Sequence, residues 1–107
     1  MLNTDTLKKN YEFQNVLSKG KFYVGKQITI YISTNKLDEN VIGIAVSTKA
    51  CNAVRLIREN YRLIKNDLKK GNNIVFLWNK KVKAEEADYY IIKKDMNKLL
   101  QKANLLS

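Results

Sequence analysis

The hydrophobic pattern between residues 41 and 71 predicts a strand followed directly by a long helix. Residues 41–46 form an apolar run with the length of a buried strand. We predict the helix over residues 53–70, with Asn52 as its N-cap, because apolar side chains recur there at the spacing of one helical face. Those side chains are Ile57, Tyr61, Ile64 and Leu68. Gly71 then supplies the left-handed residue that commonly ends a helix.

A shorter helix is predicted near the start of the chain, over residues 11–19. Asn10 can cap its first turn, and Gly20 follows its last residue. Its apolar stripe consists of Phe13, Val16 and Leu17. Residues 1–9 are mostly polar, and we expect them to form a loosely ordered N-terminal arm.

Residues 21–34 have the alternation of β-structure, either as two short strands (21–25 and 26–34) or as one strand bent at Gly25. Isoleucines at positions 28, 30 and 32 lie on one face, which we expect to meet the helices. Tyr31 lies on the opposite face. For a single tyrosine, packing across neighbouring strands is a more common role than ligand binding.

The remaining pattern completes an α+β fold. Residues 73–78 are a nearly continuous apolar run, as in a strand covered on both faces. A last helix is predicted over residues 85–103, with a core face of Tyr89, Ile92, Met96, Leu99, Leu100 and Ala103. The expected order is α-β-β-β-α-β-α, a single domain over residues 1–107. It has a four-stranded mixed sheet, helices mainly on one face, and a β-α-β crossover through the second helix.

Basic residues also recur at helical spacing on the second predicted helix. Their spacings of 3, 4, 3 and 4 place them on one arc roughly 80° wide at about 100° per residue. They are Arg55, Arg58, Arg62, Lys65 and Lys69. A solvated face is the ordinary interpretation, but such a face commonly interleaves acids, and here Glu59 and Asp67 lie off the arc. We therefore favour a face that meets a polyanion.

The composition supports a polyanionic partner and excludes several classes of enzyme. Twenty Lys and Arg against ten Asp and Glu give a net charge of +10, which favours nucleic acid or an anionic surface as partner. Without histidine there is no Ser-His-Asp or Cys-His pair, and Cys51 has no imidazole to activate it. No apolar run approaches the ~18 residues of a membrane span, so we expect a cytoplasmic protein.

Three segments resemble the protein subunit of bacterial ribonuclease P. Residues 7–21, LKKNYEFQNVLSKGK, are similar to the family's L-K-x-x-x-x-F-x-x-V-x-x-x-G. Residues 42–54, IGIAVSTKACNAV, are similar to V-G-[IL]-S-V-S-K-K-x-G-N-A-V. Residues 55–62, RLIRENYR, are similar to K-R-L-I-R-E-x-[FY]-R. The resemblance covers nearly the whole chain.

The sequence departs from this family in two places. The family has an arginine-rich insert between N-A-V and R-L-I-R, whereas Val54 is followed directly by Arg55. About six residues are missing, which would shorten a helix by roughly 9 Å at ~1.5 Å per residue. Either the segment is deleted, weakening RNA contact, or the sequence lacks residues at this point; we favour the second, because both flanks keep the pattern. In addition, Cys51 and Thr48 replace the usual Gly and Lys.

The resemblance implies a ribonucleoprotein function. In this family the RNA subunit removes the 5′ leader of precursor tRNA by metal-assisted hydrolysis, and the protein supplies no catalytic residue. The protein holds the leader between its first helix and the open sheet face, matched here by Phe13, Leu17 and Tyr31. The matching basic positions are Lys49, Asn52, Arg55, Arg58 and Arg62, and Lys65 extends them. The implied partners are the catalytic RNA and the precursor tRNA leader, and Mg²⁺ would be held mainly by RNA.

Three alternatives remain open from the residues alone. The same electrostatics would suit a non-enzymatic RNA-binding module, such as a ribosome-associated protein. A duplex-DNA binder could use the basic helix in a major groove, although its broad apolar arc commits that helix to the core. A standalone nuclease is the weakest alternative, since histidine and paired acids are missing.

Overall fold

The computed structural model describes residues 2–4, 10–46 and 51–106, and their side chains over 15–46 and 52–106. Its framework is a mixed sheet of five strands: β1 (Leu2–Thr4), β2 (Lys21–Val24), β3 (Ile28–Thr34), β4 (Val41–Ala45) and β5 (Asn72–Trp78). Their spatial order is β1-β4-β5-β3-β2. Strands β4 and β5 are parallel and the other neighbours are antiparallel. The predicted α+β class is confirmed.

Three α-helices cover the sheet: α1 (Asn10–Lys19), α2 (Cys51–Ile64) and α3 (Tyr89–Lys102). Because β4 and β5 are parallel, α2 is the crossover of a β-α-β unit, as predicted. Helices α2 and α3 pack against the sheet face that carries the isoleucines of β3. Helix α1 packs on the other face, so that two helices share one side and one helix partly covers the other.

Strand alternation separates the two faces. Ile28 and Ile30 are fully buried in the larger core, together with Phe76 of β5. Tyr31 and Val75, which alternate with them, belong to a smaller cluster around Val16 of α1. The period of two in the sequence therefore assigned both faces of β3 correctly.

The N-terminal prediction needs correction. Residues 2–4, expected to belong to a loosely ordered arm, form strand β1 with Leu2 opposite Ala45 and Thr4 opposite Gly43. The described part of the chain therefore forms a sheet of five strands, one more than the four predicted. The backbone groups on the outer edge of β4 need partners, and a short strand from the N-terminus supplies them.

The second helix begins and ends earlier than predicted. It starts at Cys51, so Asn52 lies inside the first turn and is not the N-cap. It ends at Ile64, and a single 3₁₀ turn, Lys65–Asp67, follows before the chain becomes extended at Leu68. Asn72 donates its side-chain N–H to the carbonyl of Lys69 at 3.0 Å, a bond that replaces helical hydrogen bonding in this segment.

Helix α2 also passes from Val54 to Arg55 without a break, and the described residues contain no cis peptide bond. The basic residues from Arg55 onward therefore continue the same helix that contains Asn52, Ala53 and Val54.

The last helix begins at Tyr89, four residues later than expected. Asp88 accepts hydrogen bonds from the backbone N–H groups of Tyr90 (2.8 Å) and Ile91 (3.1 Å) and is the N-cap. The acidic residues before it belong to a separate 3₁₀ turn, Ala84–Glu86.

A carboxylate from α3 holds the turn between β2 and β3. Asp95, which is 6% exposed, accepts the backbone N–H groups of Lys26 (3.0 Å), Gln27 (2.7 Å) and Ile28 (3.2 Å). Gly25 completes the contact, since a Cβ there would lie 2.6 Å from the carboxyl carbon of Asp95. The hairpin that carries the open sheet face is therefore fixed to the opposite layer of the fold.

Candidate RNA-binding surfaces

The sheet face opposite α2 and α3 is only partly covered. Helix α1 lies over β3 and β5, where Val16 is buried against Val41 and Val75. Leu17 and Tyr31 are partly buried beside this contact, together with Ala45 and Leu77. The structure thus brings two of the three predicted leader-binding residues together; the side chain of the third, Phe13, lies outside the described side chains, although its backbone belongs to α1.

Two aromatic rings are paired on this face. Phe22 of β2 lies opposite Tyr31 of β3, with ring centroids 5.5 Å apart and ring planes inclined by 29°. Tyr31 therefore does pack across strands, as expected for a single tyrosine, yet Phe22 remains 60% exposed. Sequence reasoning missed Phe22, because only the β2–β3 register shows that it shares a face with Tyr31.

The end of α1 is fixed close to the sheet by Gly20. Its N–H donates to the carbonyl of Val16 at 2.8 Å. A Cβ at this position would lie 2.5 Å from that oxygen and 2.8 Å from the carbonyl oxygen of Ile32. Only glycine allows this approach, which positions α1 and Leu17 on the open face.

Gly20→Ala is accordingly expected to lower the free energy of unfolding by about 1–3 kcal/mol, because backbone atoms on both sides must shift. Urea unfolding of the purified protein measures it. Ser18→Ala, on the exposed side of the same helix, is the matched control and should stay within about 0.5 kcal/mol of the parent. Equal stability of the Gly20 variant and the parent would contradict the close approach.

The arginines of α2 lie opposite its buried side. Ala53, Ile57 and Asn60 are buried, and at about 100° per residue Arg55, Arg58 and Arg62 project from the far side of the helix. Arg55 is exposed, forms an ion pair with Glu59 at 3.3 Å and also donates to the Asn52 side chain at 3.3 Å. Glu59 is thus close enough to pair with one member of the basic face.

The other basic positions differ in accessibility. Arg62 is exposed, whereas Arg58 is half-buried and its Nε atom is shielded from solvent. Lys65 is exposed but lies on the 3₁₀ turn, so the continuous α-helical stripe ends at Arg62. Lys49 lies outside the described residues. We call the exposed side of α2 around Arg55, Arg58 and Arg62 the arginine face.

Leu17 and Tyr31 lie on one face of the sheet, whereas α2, which carries the arginine face, packs on the other. One RNA strand on the open face would therefore leave α2 accessible to another. Within the part of the chain that the structure describes, no three His, Cys, Asp or Glu side chains are grouped as a metal site. No helix in those residues is both long and apolar enough to cross a bilayer.

An arginine-lined helix and an open sheet face with paired aromatic rings are typical of an α+β protein that binds RNA. Comparisons with known proteins identify which one. The family model for Ribonuclease P matches residues 1–104, and the chain belongs to this family.

Individual relatives agree with this assignment. The chain is 36% identical to the ribonuclease P protein component of Alkaliphilus metalliredigens, with all of both chains covered. It is 35% identical to that of Natranaerobius thermophilus, covering 94% of this chain and 91% of the relative. The structure of the Staphylococcus aureus RNase P protein superposes with a TM-score of 0.81 at 25% identity, covering 98% of this chain and all of the other. The Thermotoga maritima RNase P protein gives a TM-score of 0.78 at 26% identity, over 90% and 97% of the two chains.

Family membership fixes the general function. The chain is the protein subunit of the tRNA-processing ribonuclease P, it associates with the RNase P RNA, and it serves tRNA 5′ maturation while the RNA carries the catalysis. The alternatives of a ribosome-associated module, a duplex-DNA binder and a standalone nuclease are set aside by this result.

Proposed function

We propose that this protein holds the single-stranded 5′ leader of precursor tRNA between α1 and the open sheet face, while the arginine face of α2 contacts phosphates of the catalytic RNA. The observation that carries the proposal is the Phe22–Tyr31 ring pair beside α1 on an incompletely covered sheet. An unpaired base can stack on such rings whatever its identity, so leader binding is expected to tolerate many sequences.

Each proposed leader contact has a distinct role. Tyr31 offers a half-buried ring held in place by Phe22, and Leu17 lines the adjoining side of α1 with an apolar group. Phe13 is one helical turn before Leu17 in the sequence, and we propose that its ring stacks on a second base. Because Leu17 has no aromatic ring, it would offer a base apolar contact but no stacking.

The basic residues would act through charge. Arg55 and Arg62 are exposed and can reach phosphate oxygens with planar guanidinium groups; Arg58, Lys65, Lys49 and Asn52 are proposed as supporting contacts. Mg²⁺ is proposed to be held mainly by RNA, whose phosphate oxygens are the hard ligands this ion prefers. The site of action we propose is the cytoplasm.

Tyr31→Leu in the enzyme reconstituted with its catalytic RNA tests the leader contact. Leucine keeps the apolar packing against Val75 but removes the ring. We expect affinity for precursor tRNA to fall about tenfold, the loss of a stacking contact of ~1–3 kcal/mol, while affinity for mature tRNA is unchanged. Binding is measured at low Mg²⁺ in parallel for both RNAs.

Phe13→Ala should show the same preference for weakening the precursor complex. Tyr90→Leu is the matched control, because Tyr90 is 70% exposed but belongs to α3 on the other side of the sheet. Equal losses for precursor and mature tRNA in the Tyr31 and Phe13 variants would reduce both residues to structural roles and refute the proposed leader contact.

A further inference from the structure

The exposed apolar surface on the open sheet face extends past the area beneath α1. Among the described residues, strand β2 is at the edge of the sheet and pairs with β3 alone. Its two outward residues on this face, Phe22 and Val24, are 60% and 62% exposed. Helix α1 contacts β3 and β5, so these two side chains lie at the outer margin of the proposed leader-binding surface. We call Phe22 and Val24 the edge patch.

The ring of Phe22 is held in a fixed position on the open face. Phe22 stacks on Tyr31, which stands between it and the residues that pack against α1. Val24 lies opposite Thr29, one step along the same face. The two rings and the valine therefore continue one apolar surface from α1 to the edge of the sheet.

Charge around the edge patch favours an anionic partner. Residues 19–26 contain three lysines, Lys19, Lys21 and Lys26, and no acid. All three are exposed. An unpaired nucleotide satisfies both features, because its base can stack on a ring while its phosphate meets a lysine.

A second copy of this chain is the competing occupant, since no described strand lies beside the outer edge of β2, which could therefore extend a sheet. Two chains of net charge +10 repel each other, and a short edge strand that begins with Lys21 and is followed by Lys26 disfavours such pairing. RNA is therefore a better match for the edge patch than a second copy of the protein.

We propose that the edge patch is an additional base-binding position, at which Phe22 stacks on a leader nucleotide beyond the one that contacts Tyr31. The inference rests on the proposed function, and it adds that this protein contacts a longer leader than the surface beneath α1 could hold. Recognition is independent of base identity, because a phenyl ring and a valine offer no hydrogen bond.

The test uses the enzyme reconstituted with its catalytic RNA and a series of precursor tRNAs whose leaders are lengthened one nucleotide at a time. For the parent protein, affinity should rise with leader length and then reach a plateau. Phe22→Leu should reach its plateau at a shorter leader and bind the longest leader about fivefold to tenfold more weakly, a clearly larger loss than for the shortest leader.

Two further variants keep the result unambiguous. Phe22→Tyr retains the ring and should bind every leader as the parent does. Tyr90→Leu removes a ring that is 70% exposed on α3 and should also match the parent. If Phe22→Leu loses nothing, or loses affinity equally for all leader lengths and for mature tRNA, the additional position does not exist.

Tyr31→Leu separates this inference from the proposed function. If Tyr31→Leu weakens leader binding and Phe22→Leu does not, the leader surface stands and the edge patch is not part of it. If neither variant affects leader binding, both fail. Sedimentation of the protein alone gives the remaining outcome: a dimer that Phe22→Leu dissociates would assign the edge patch to self-association and overturn the proposal.

Discussion

Asp95→Ala is expected to lower the free energy of unfolding by about 3–5 kcal/mol, the largest stability effect of any single substitution considered. Its carboxylate accepts three consecutive backbone N–H groups in the β2–β3 turn. Hydrogen bonds to a charged acceptor contribute roughly 1.5–3 kcal/mol each, and alanine would leave the buried donors of Gln27 and Ile28 without a partner. Urea unfolding followed by circular dichroism measures the loss.

Asp88→Ala is the matched control for this prediction. Asp88 also accepts two backbone N–H groups, but at the exposed start of α3, where water can replace it. Its loss should be about 1 kcal/mol, as for other N-caps. If the two variants lose the same small amount, the turn amides must be solvated and Asp95 does not anchor the hairpin.

The Asp95 variant should also weaken leader binding, through the position of β2 and not through a lost contact. The turn that it holds connects the two strands that carry Phe22 and Tyr31. If the hairpin moves, the ring pair moves with it. Affinity for precursor tRNA should therefore fall more than affinity for mature tRNA even at temperatures where the variant is folded.

The sequence contained enough information for the strands and faces, but not for this anchor. Alternation in β3 identified Ile28 and Ile30 as core and Tyr31 as a member of the other face, because period two is a local property. Asp95 lies 67 to 69 residues from its partners. In the sequence, Asp95 is recognisable only as an acidic residue next to Met96 on the predicted core face of the last helix. That position does not indicate which backbone groups the carboxylate binds.

Errors at the element ends have the same origin. Apolar periodicity continued through Leu68, but α2 ends at Ile64 because Asn72 and Leu105 form hydrogen bonds with the Lys69 backbone. Likewise, Leu2–Thr4 became a strand because the edge of β4 was available to it. Leu105 and the edge of β4 are distant in the chain from the segments that they bind, and a hydrophobic pattern does not report such contacts.

The candidate site was predicted in part because its residues came from two kinds of signal. Helical spacing and the family resemblance both selected Arg55, Arg58 and Arg62, whereas Tyr31 and Leu17 depended on face assignment together with the resemblance. Predicting the role of Phe22 required the register of β2 on β3. The sequence did not define this register, because it left open whether residues 21–34 form two strands or one strand bent at Gly25. The ring pair therefore became visible only in three dimensions.

The double variant Arg55→Ala/Arg62→Ala is expected to produce the largest loss of affinity for the catalytic RNA. Each arginine that contacts a phosphate contributes about one unit to the slope of log affinity against log salt concentration, so the slope should flatten by about two units. Affinity should fall at least about tenfold near 0.1 M salt. Filter binding across a salt series measures both quantities.

The ion pair of Arg55 with Glu59 does not prevent this contact. Its guanidinium is at the surface, with a side-chain exposure of 65%, and an exposed pair contributes only about 0–1 kcal/mol. A phosphate can therefore replace Glu59 at low cost. Arg58 is left unchanged in the test, because its Nε is buried and substitution would alter packing as well as charge.

Lys94→Ala/Lys98→Ala removes the same net charge from exposed positions of α3 and distinguishes contact from general attraction. If the arginines touch phosphates, the lysine variant keeps the parent's slope and loses little affinity. If both double variants flatten the slope equally, only net charge matters, and the arginine face of α2 is not a binding surface. A large effect of the arginine variant without an effect of the lysine variant would assign the RNA contact to the arginine face.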